Sequence, residues 1–97
     1  IVEKGVVIYP NVHIIGKCLI KKGTVIYPNT IIIDSTIGED CFIKSSYLDN
    51  CKIENNVSVG PFANIRPNSV LKQGCKIGDF VEIKSSVIGE KTKNFVL

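Results

Sequence analysis

The sequence predicts an all-β fold, a parallel β-helix of hexapeptide repeats with about five triangular coils, and three observations carry that expectation. An aliphatic residue returns every sixth position at Val59, Ile65, Leu71, Ile77 and Ile83. Four places after each of the first four stands a small or β-branched residue: Ala63, Ser69, Cys75, Val81. Between them lie turn formers such as Pro10-Asn11, Pro28-Asn29, Asn55-Asn56, Pro67-Asn68 and Gly74, which supply the preset or positive φ that a tight corner requires. Finally, Tyr9-Pro10-Asn11 recurs as Tyr27-Pro28-Asn29, and Val59-Gly60-x-Phe62 as Ile77-Gly78-x-Phe80, each eighteen residues on. Neither a 3.6-residue helical period nor simple alternation produces a period of six. A short strand followed by a corner does, and three such units close one turn of a solenoid.

Taken from the first residue, one register places inward aliphatics at Val2, Ile8, Ile14, Ile20, Ile26 and Ile32. It continues through Ile37, Ile43, Leu48, Ile53 and Val59, and then Ile65, Leu71, Ile77, Ile83 and Ile88. Steps are six residues except at 32 to 37, 43 to 48, 48 to 53 and 83 to 88, where they are five. Consecutive coils should stack at about 4.8 Å, for a height of about 25 Å.

The triangular frame sorts outward residues onto three faces. One carries Glu3, Lys21, Gly38, Glu54, Lys72 and Gly89; stacked opposite charges make it a solvated face. The second carries Tyr9, Tyr27, Lys44, Gly60 and Gly78, and the third Ile15, Ile33, Asp49, Arg66 and Lys84. Tyr9, Ile15, Tyr27 and Ile33 form an apolar collar on the early coils, an expected contact surface for another subunit or domain.

Composition narrows the function classes. The 97 residues are 44% hydrophobic, rich in Ile and Val, and contain no Trp or Met, as suits thin aliphatic layers in one domain over residues 1–97. A net charge of +3 without a basic run leaves no nucleic-acid footprint. Nothing reads as a signal peptide or as an apolar run of about eighteen residues, so a cytoplasmic location is expected. The chain begins at Ile1 and its repeat reaches both ends, which favours a piece of a longer chain.

The chemistry concentrates on the third face, where Arg66 and Lys84 hold the same slot one coil apart. Two stacked cations either bind an anion between them, with Arg66 as planar fork and Lys84 as point charge, or belong to a surface ladder with Asp49 below. Both readings stand open on spacing alone. Glu82 sits beside the Lys84 slot as a solvated partner for it. His13, the one histidine, points outward low in the stack and reads as ordinary surface. One histidine cannot supply the three-histidine zinc site of β-helical carbonic anhydrases, so no metal is expected. Cys18, Cys41 and Cys75 take the small inward position and pack as small hydrophobes. Cys51 lies in a turn, where it would be the more reactive thiol. Their spacing gives no disulfide or metal framework.

The segments V-G-P-F-A-N-I-R-P-N-S-V-L and I-G-D-F-V-E-I-K-S-S-V-I-G-E-K-T-K closely resemble the acetyltransferase domain of the bacterial bifunctional N-acetylglucosamine-1-phosphate uridyltransferase/glucosamine-1-phosphate acetyltransferase family. The match is specific over about residues 56–93 and looser in the earlier coils. The resemblance implies a left-handed β-helix that forms a homotrimer with active sites between subunits. Acetyl would pass from acetyl-CoA to the amine of glucosamine 1-phosphate, for UDP-N-acetylglucosamine and cell-wall synthesis. It also implies that the Arg of I-R-P and the Lys of V-E-I-K, here Arg66 and Lys84, hold the sugar phosphate.

The family's general-base His corresponds to Val96, a residue that accepts no proton. The catalytic His is therefore missing from the pattern, and the chain is expected to be inactive alone. The coils that would complete the acetyl-CoA groove, and the uridyltransferase domain with its Gly-rich loop, are not in this sequence. The alternative is a non-catalytic trimerising scaffold.

Overall fold

The computed structural model describes residues 1–94. Its strands are mostly two residues long and fall three to a coil. The first coil has β1 (Val7–Ile8), β2 (Val12–Ile15) and β3 (Leu19–Ile20); the second has β4 (Val25–Ile26), β5 (Thr30–Ile33) and β6 (Thr36–Ile37). The third has β7 (Phe42–Ile43), β8 (Tyr47–Asp49) and β9 (Lys52–Ile53); the fourth has β10 (Ser58–Val59), β11 (Asn64–Ile65) and β12 (Val70–Leu71). The fifth has β13 (Lys76–Ile77), β14 (Glu82–Ile83) and β15 (Val87–Ile88), and β16 (Lys93–Asn94) follows. Every pairing is parallel and joins a strand to its equivalent one coil away, giving sheets of six, five and five strands.

The pairings reproduce the sequence register along all three faces. Ile8 pairs with Ile26, Ile26 with Ile43, Ile43 with Val59 and Val59 with Ile77. Ile14, Ile32, Leu48, Ile65 and Ile83 form a second column, and Ile20, Ile37, Ile53, Leu71 and Ile88 a third. From Ile20 to Leu71 these residues are essentially inaccessible. Val2 and Ile8 obey the same register yet remain 47% and 41% exposed, because a layer of a solenoid is buried only between two others.

Corners are made by residues in the left-handed region. Asn11, Asn29, Asn56 and Asn68 have φ between 58° and 65°, a conformation that Asn tolerates better than other side chains. The five-residue units turn differently. In three of the four, a serine one place past the corner returns its hydroxyl to the carbonyl two residues back: Ser35 to Ile33, Ser46 to Lys44, Ser86 to Lys84. Ser35 and Ser46 are buried and also accept an amide from the coil above, from Cys51 and Ala63 respectively. One hydroxyl thus satisfies a donor and an acceptor that the shortened corner leaves behind.

Cys51 corrects a sequence expectation. It occupies the inward position of its short unit, is 5% exposed, and has its Sγ 3.5 Å from Ser35 Oγ. Burial pushes its thiol above the ordinary range, partly offset by that contact, so it carries little thiolate. All four cysteines are buried and free.

The charged face pairs in part. Lys72 Nζ lies 3.9 Å from Glu54, whereas Glu3 accepts the Lys22 amide and Glu54 that of Gln73. Two of these carboxylates therefore cap backbone donors of the coil above.

Candidate functional site

The candidate site lies on the outer surface of the sheet β14-β11-β8-β5-β2. Ile65 and Ile83 are buried and paired, so the residues on either side of each must point outward. That places Asn64 against Glu82, and Arg66 in the slot beneath Lys84, with the Arg66 amide donating to the Ile83 carbonyl at 2.8 Å. The cation pair expected from the sequence is present.

Its carboxylate partner is Glu82 and not Asp49. Arg66 Nη1 donates to Glu82 Oε2 at 3.1 Å, and Lys84 Nζ stands 3.8 Å from Glu82 Oε1. Each oxygen of one carboxylate thus faces one cation. Among the described residues Asp49 enters no ion pair; its carboxylate is held close to its own strand by a single methylene, while the longer Glu82 stem reaches the gap between the cations. Roughly half of each side chain in the Arg66–Glu82 pair is exposed, so solvent screens their attraction. The trio keeps a net charge of +1, and most of the Arg66 and Lys84 donors stay free for an oxyanion.

Asn64 adds a feature that the sequence does not announce. Its Oδ1 is buried without any hydrogen-bond partner, alone in this among the described side-chain polar atoms. An unpartnered acceptor of this kind is costly and is ordinarily matched by a donor from somewhere. The corner before β11 and β14 holds a second such feature. Phe62 and Phe80 sit there at φ 63° and 55°, with rings stacked at 5.2 Å and inclined by 21°. They are 57% and 72% exposed. The V-G-x-F echo was visible in the sequence as a repeat, but nothing in it marked the two rings as exposed and stacked.

His13 is exposed on β2, three strands below Arg66 in the same sheet, or about 14 Å away. The position equated with the catalytic His, Val96, lies outside the described residues. On a different sheet, Tyr9 and Tyr27 stack at 5.3 Å and Lys44 covers Tyr27, so part of the expected apolar collar covers itself. A cavity of about 290 Å³ lined by Tyr27, Phe42, Lys44 and Ser58 opens beside them, apart from the cation pair.

Among the described residues no group of three or more His, Cys, Asp and Glu is placed to hold a metal, and no helix is long and apolar enough to cross a membrane.

Comparison with known proteins agrees with this architecture. Residues 50–85 match the family model described as "Bacterial transferase hexapeptide (six repeats)". The bifunctional protein GlmU of Caldicellulosiruptor saccharolyticus is 53% identical over 93 residues, 96% of this chain and 20% of that protein. The GlmU of Streptococcus thermophilus is 48% identical over 92 residues, 95% of this chain and 20% of that protein. The chain therefore spans about a fifth of the length of the curated relatives it matches. The GDP-perosamine N-acetyl transferase of Caulobacter crescentus, solved with CoA and GDP-perosamine, aligns over 99% of this chain and 50% of its own. The TM-score is 0.56 at 16% identity, a likeness of fold. The chain is thus a hexapeptide-repeat β-helix, similar over residues 50–85 to the bacterial transferase hexapeptide model and over almost its whole length to one fifth of the bifunctional GlmU proteins.

Proposed function

We propose that the chain is the sugar-phosphate-binding part of a glucosamine-1-phosphate N-acetyltransferase. The observation that carries this reading is the placement of Arg66 and Lys84 in one slot of adjacent coils, held apart by a single shared carboxylate. A phosphate monoester offers two negative charges and several acceptor oxygens to that pair, a fork from Arg66 and a point charge from Lys84. The similarity to GlmU proteins supports glucosamine 1-phosphate as the phosphate carrier.

Transfer is a separate matter. Acetyl-CoA would be the donor by resemblance, yet the described residues do not make a site for it. The Arg66–Lys84 pair is needed by the sugar phosphate, and the cavity of about 290 Å³ opens on a different sheet. With Val96 at the position where the family has its base, the chain binds the acceptor and does not acetylate it. It assembles as a homotrimer in the cytoplasm through the apolar outer positions of the lower coils, Ile15 and Tyr9 among them. The longer GlmU relatives support an accompanying uridyltransferase domain. A second reading, a trimerising scaffold, draws on the same exposed apolar residues and needs no ligand.

Calorimetric titration with glucosamine 1-phosphate, with glucosamine as the unphosphorylated control, tests the choice. Binding that requires the phosphate and is lost in Arg66→Ala and Lys84→Ala supports the acceptor site. No binding at millimolar ligand in a protein shown to be trimeric leaves the scaffold.

A further inference from the structure

We propose that Phe62 and Phe80 form an aromatic wall for the ring of the phosphorylated ligand, an inference that rests on the sugar-phosphate reading of Arg66 and Lys84. The starting point is backbone strain. Phe62 and Phe80 hold φ 63° and 55°, a region that a bulky L residue enters only when its surroundings compel it. The equivalent corner of the three lower coils is built from Asn11, Asn29 and Ser45, small residues that turn there at lower cost. Phe62 directly succeeds Ser45 in that column, its amide donating to the Ser45 carbonyl at 2.9 Å. Phenylalanine replaces the easy residue only in the two coils that also carry the cation pair.

Packing does not account for the replacement, because most of each ring is exposed. The two rings stack on one another and present a continuous apolar surface to solvent. Strained residues whose packing is limited to one another point to a functional contact.

The order of residues along the two coils gives that contact a chemistry. Running outward from the corner, each coil offers a phenyl ring, then a hydrogen-bonding residue (Asn64 or Glu82), then a cation (Arg66 or Lys84). The whole span from Phe62 to Arg66 is at most about 14 Å. A pyranose phosphate has the matching order: a charged phosphate, hydroxyls or an amine on the ring edge, and a C–H face. Phosphate on Arg66 and Lys84 lays the ring along the two coils towards the phenyl pair. The C–H groups of the ring then meet the apolar side that the stacked phenyl pair turns outward, the ring faces being directed at each other. An aliphatic phosphate satisfies the cations but not the wall.

The test replaces Phe62, Phe80 or both with Asn, the residue that the lower coils use at this corner. Affinities are measured calorimetrically for glucosamine 1-phosphate, glycerol 3-phosphate and inorganic phosphate, alongside melting temperature and light scattering. The expected result is that the wild-type chain prefers the pyranose phosphate to the other two by tenfold or more. Phe62→Asn/Phe80→Asn brings that ratio close to one, leaves inorganic phosphate binding unchanged, and melts no lower than wild type. A ring preference that survives in the double variant overturns the proposal. So does a double variant that loses its ring preference only by falling to a lower oligomer, since the rings would then serve a second copy of the chain. Failure of the wild type to bind any of the three phosphates sinks the sugar-phosphate reading, and this inference with it; binding that ignores the ring sinks this inference alone.

Discussion

Arg66 and Glu82 meet across two coils, Nη1 to Oε2 at 3.1 Å, while the other carboxylate oxygen of Glu82 faces Lys84 at 3.8 Å. The carboxylate thus occupies ground that an incoming anion would need. Both members of the pair are about half exposed, so it contributes at most about 1 kcal/mol to stability.

Glu82→Gln is therefore expected to leave the melting temperature nearly unchanged and to tighten phosphate binding. Removing one negative charge about 5 Å from a bound anion is worth roughly 1 kcal/mol in high dielectric, a few-fold in affinity. The gain should shrink as salt is raised, as exposed charges are screened. Titrations of inorganic phosphate at low and high ionic strength check this, and equal affinities in the two proteins would show that Glu82 does not compete.

Layer position governs the cost of cavities. Ile65 is fully buried between Leu48 and Ile83, so Ile65→Ala is expected to cost about 2–5 kcal/mol. Val2 has the same place in the register but is 47% exposed, and Val2→Ala should cost well under about 1 kcal/mol. Chemical denaturation of both variants measures the difference; similar losses would contradict the layered burial.

The short corner at Ser46 depends on one hydroxyl, which donates to Lys44 O at 2.6 Å and accepts from Ala63 N at 3.2 Å. Ser46→Ala leaves a buried amide and carbonyl without this partner, and a loss of about 1–3 kcal/mol is expected. Ser86→Ala, at an exposed short corner, is the control and should lose less. Denaturant midpoints of the two variants provide the comparison.

Alkaline pH should weaken the fold through its thiols. Burial raises the Cys41, Cys51 and Cys75 thiols above their ordinary range, with hydrogen bonds partly offsetting the effect. The native state therefore keeps its protons where the unfolded chain, with thiols near pH 8.5, releases them. Their contribution is intact below about pH 8.5 and declines as pH rises toward the raised folded values. In Cys51→Ala the fall in melting temperature above pH 8.5 should be shallower than in wild type. Parallel curves for the two proteins would rule the thiol out. With a thiol-specific reagent, Cys51 should label no faster than Cys41 in the folded protein.

Much of the architecture was legible because the repeat is local. The inward column, the four five-residue steps and the eighteen-residue echoes translate directly into Ile8 over Ile26 and Ile65 under Ile83. Arg66 and Lys84 followed from the same register. Glu82 followed as a partner for Lys84 but not for Arg66. Asp49 lies in the Arg66 column by counting, yet Glu82 makes the contact because it stands one coil higher, in the neighbouring outward row, with a longer stem. Cys51 was misread for a related reason: a residue beside a corner can still be the inward one when the unit is a residue short.

The sequence by itself determined the coil, its register and its layers, since a period of six with small residues and corner formers at fixed offsets admits one stacking of strands. Only the tertiary structure decided what the outer surface does with the residues it displays. Coils about 4.8 Å apart bring Glu82 between two cations, stack Phe62 on Phe80, leave Asn64 Oδ1 without a donor and leave the first layer half bare. The Arg66–Glu82 and Phe62–Phe80 contacts join residues 16 and 18 positions apart, and they depend on which way long side chains lean across that gap. A repeat pattern records the position of each side chain along the solenoid but not its lean.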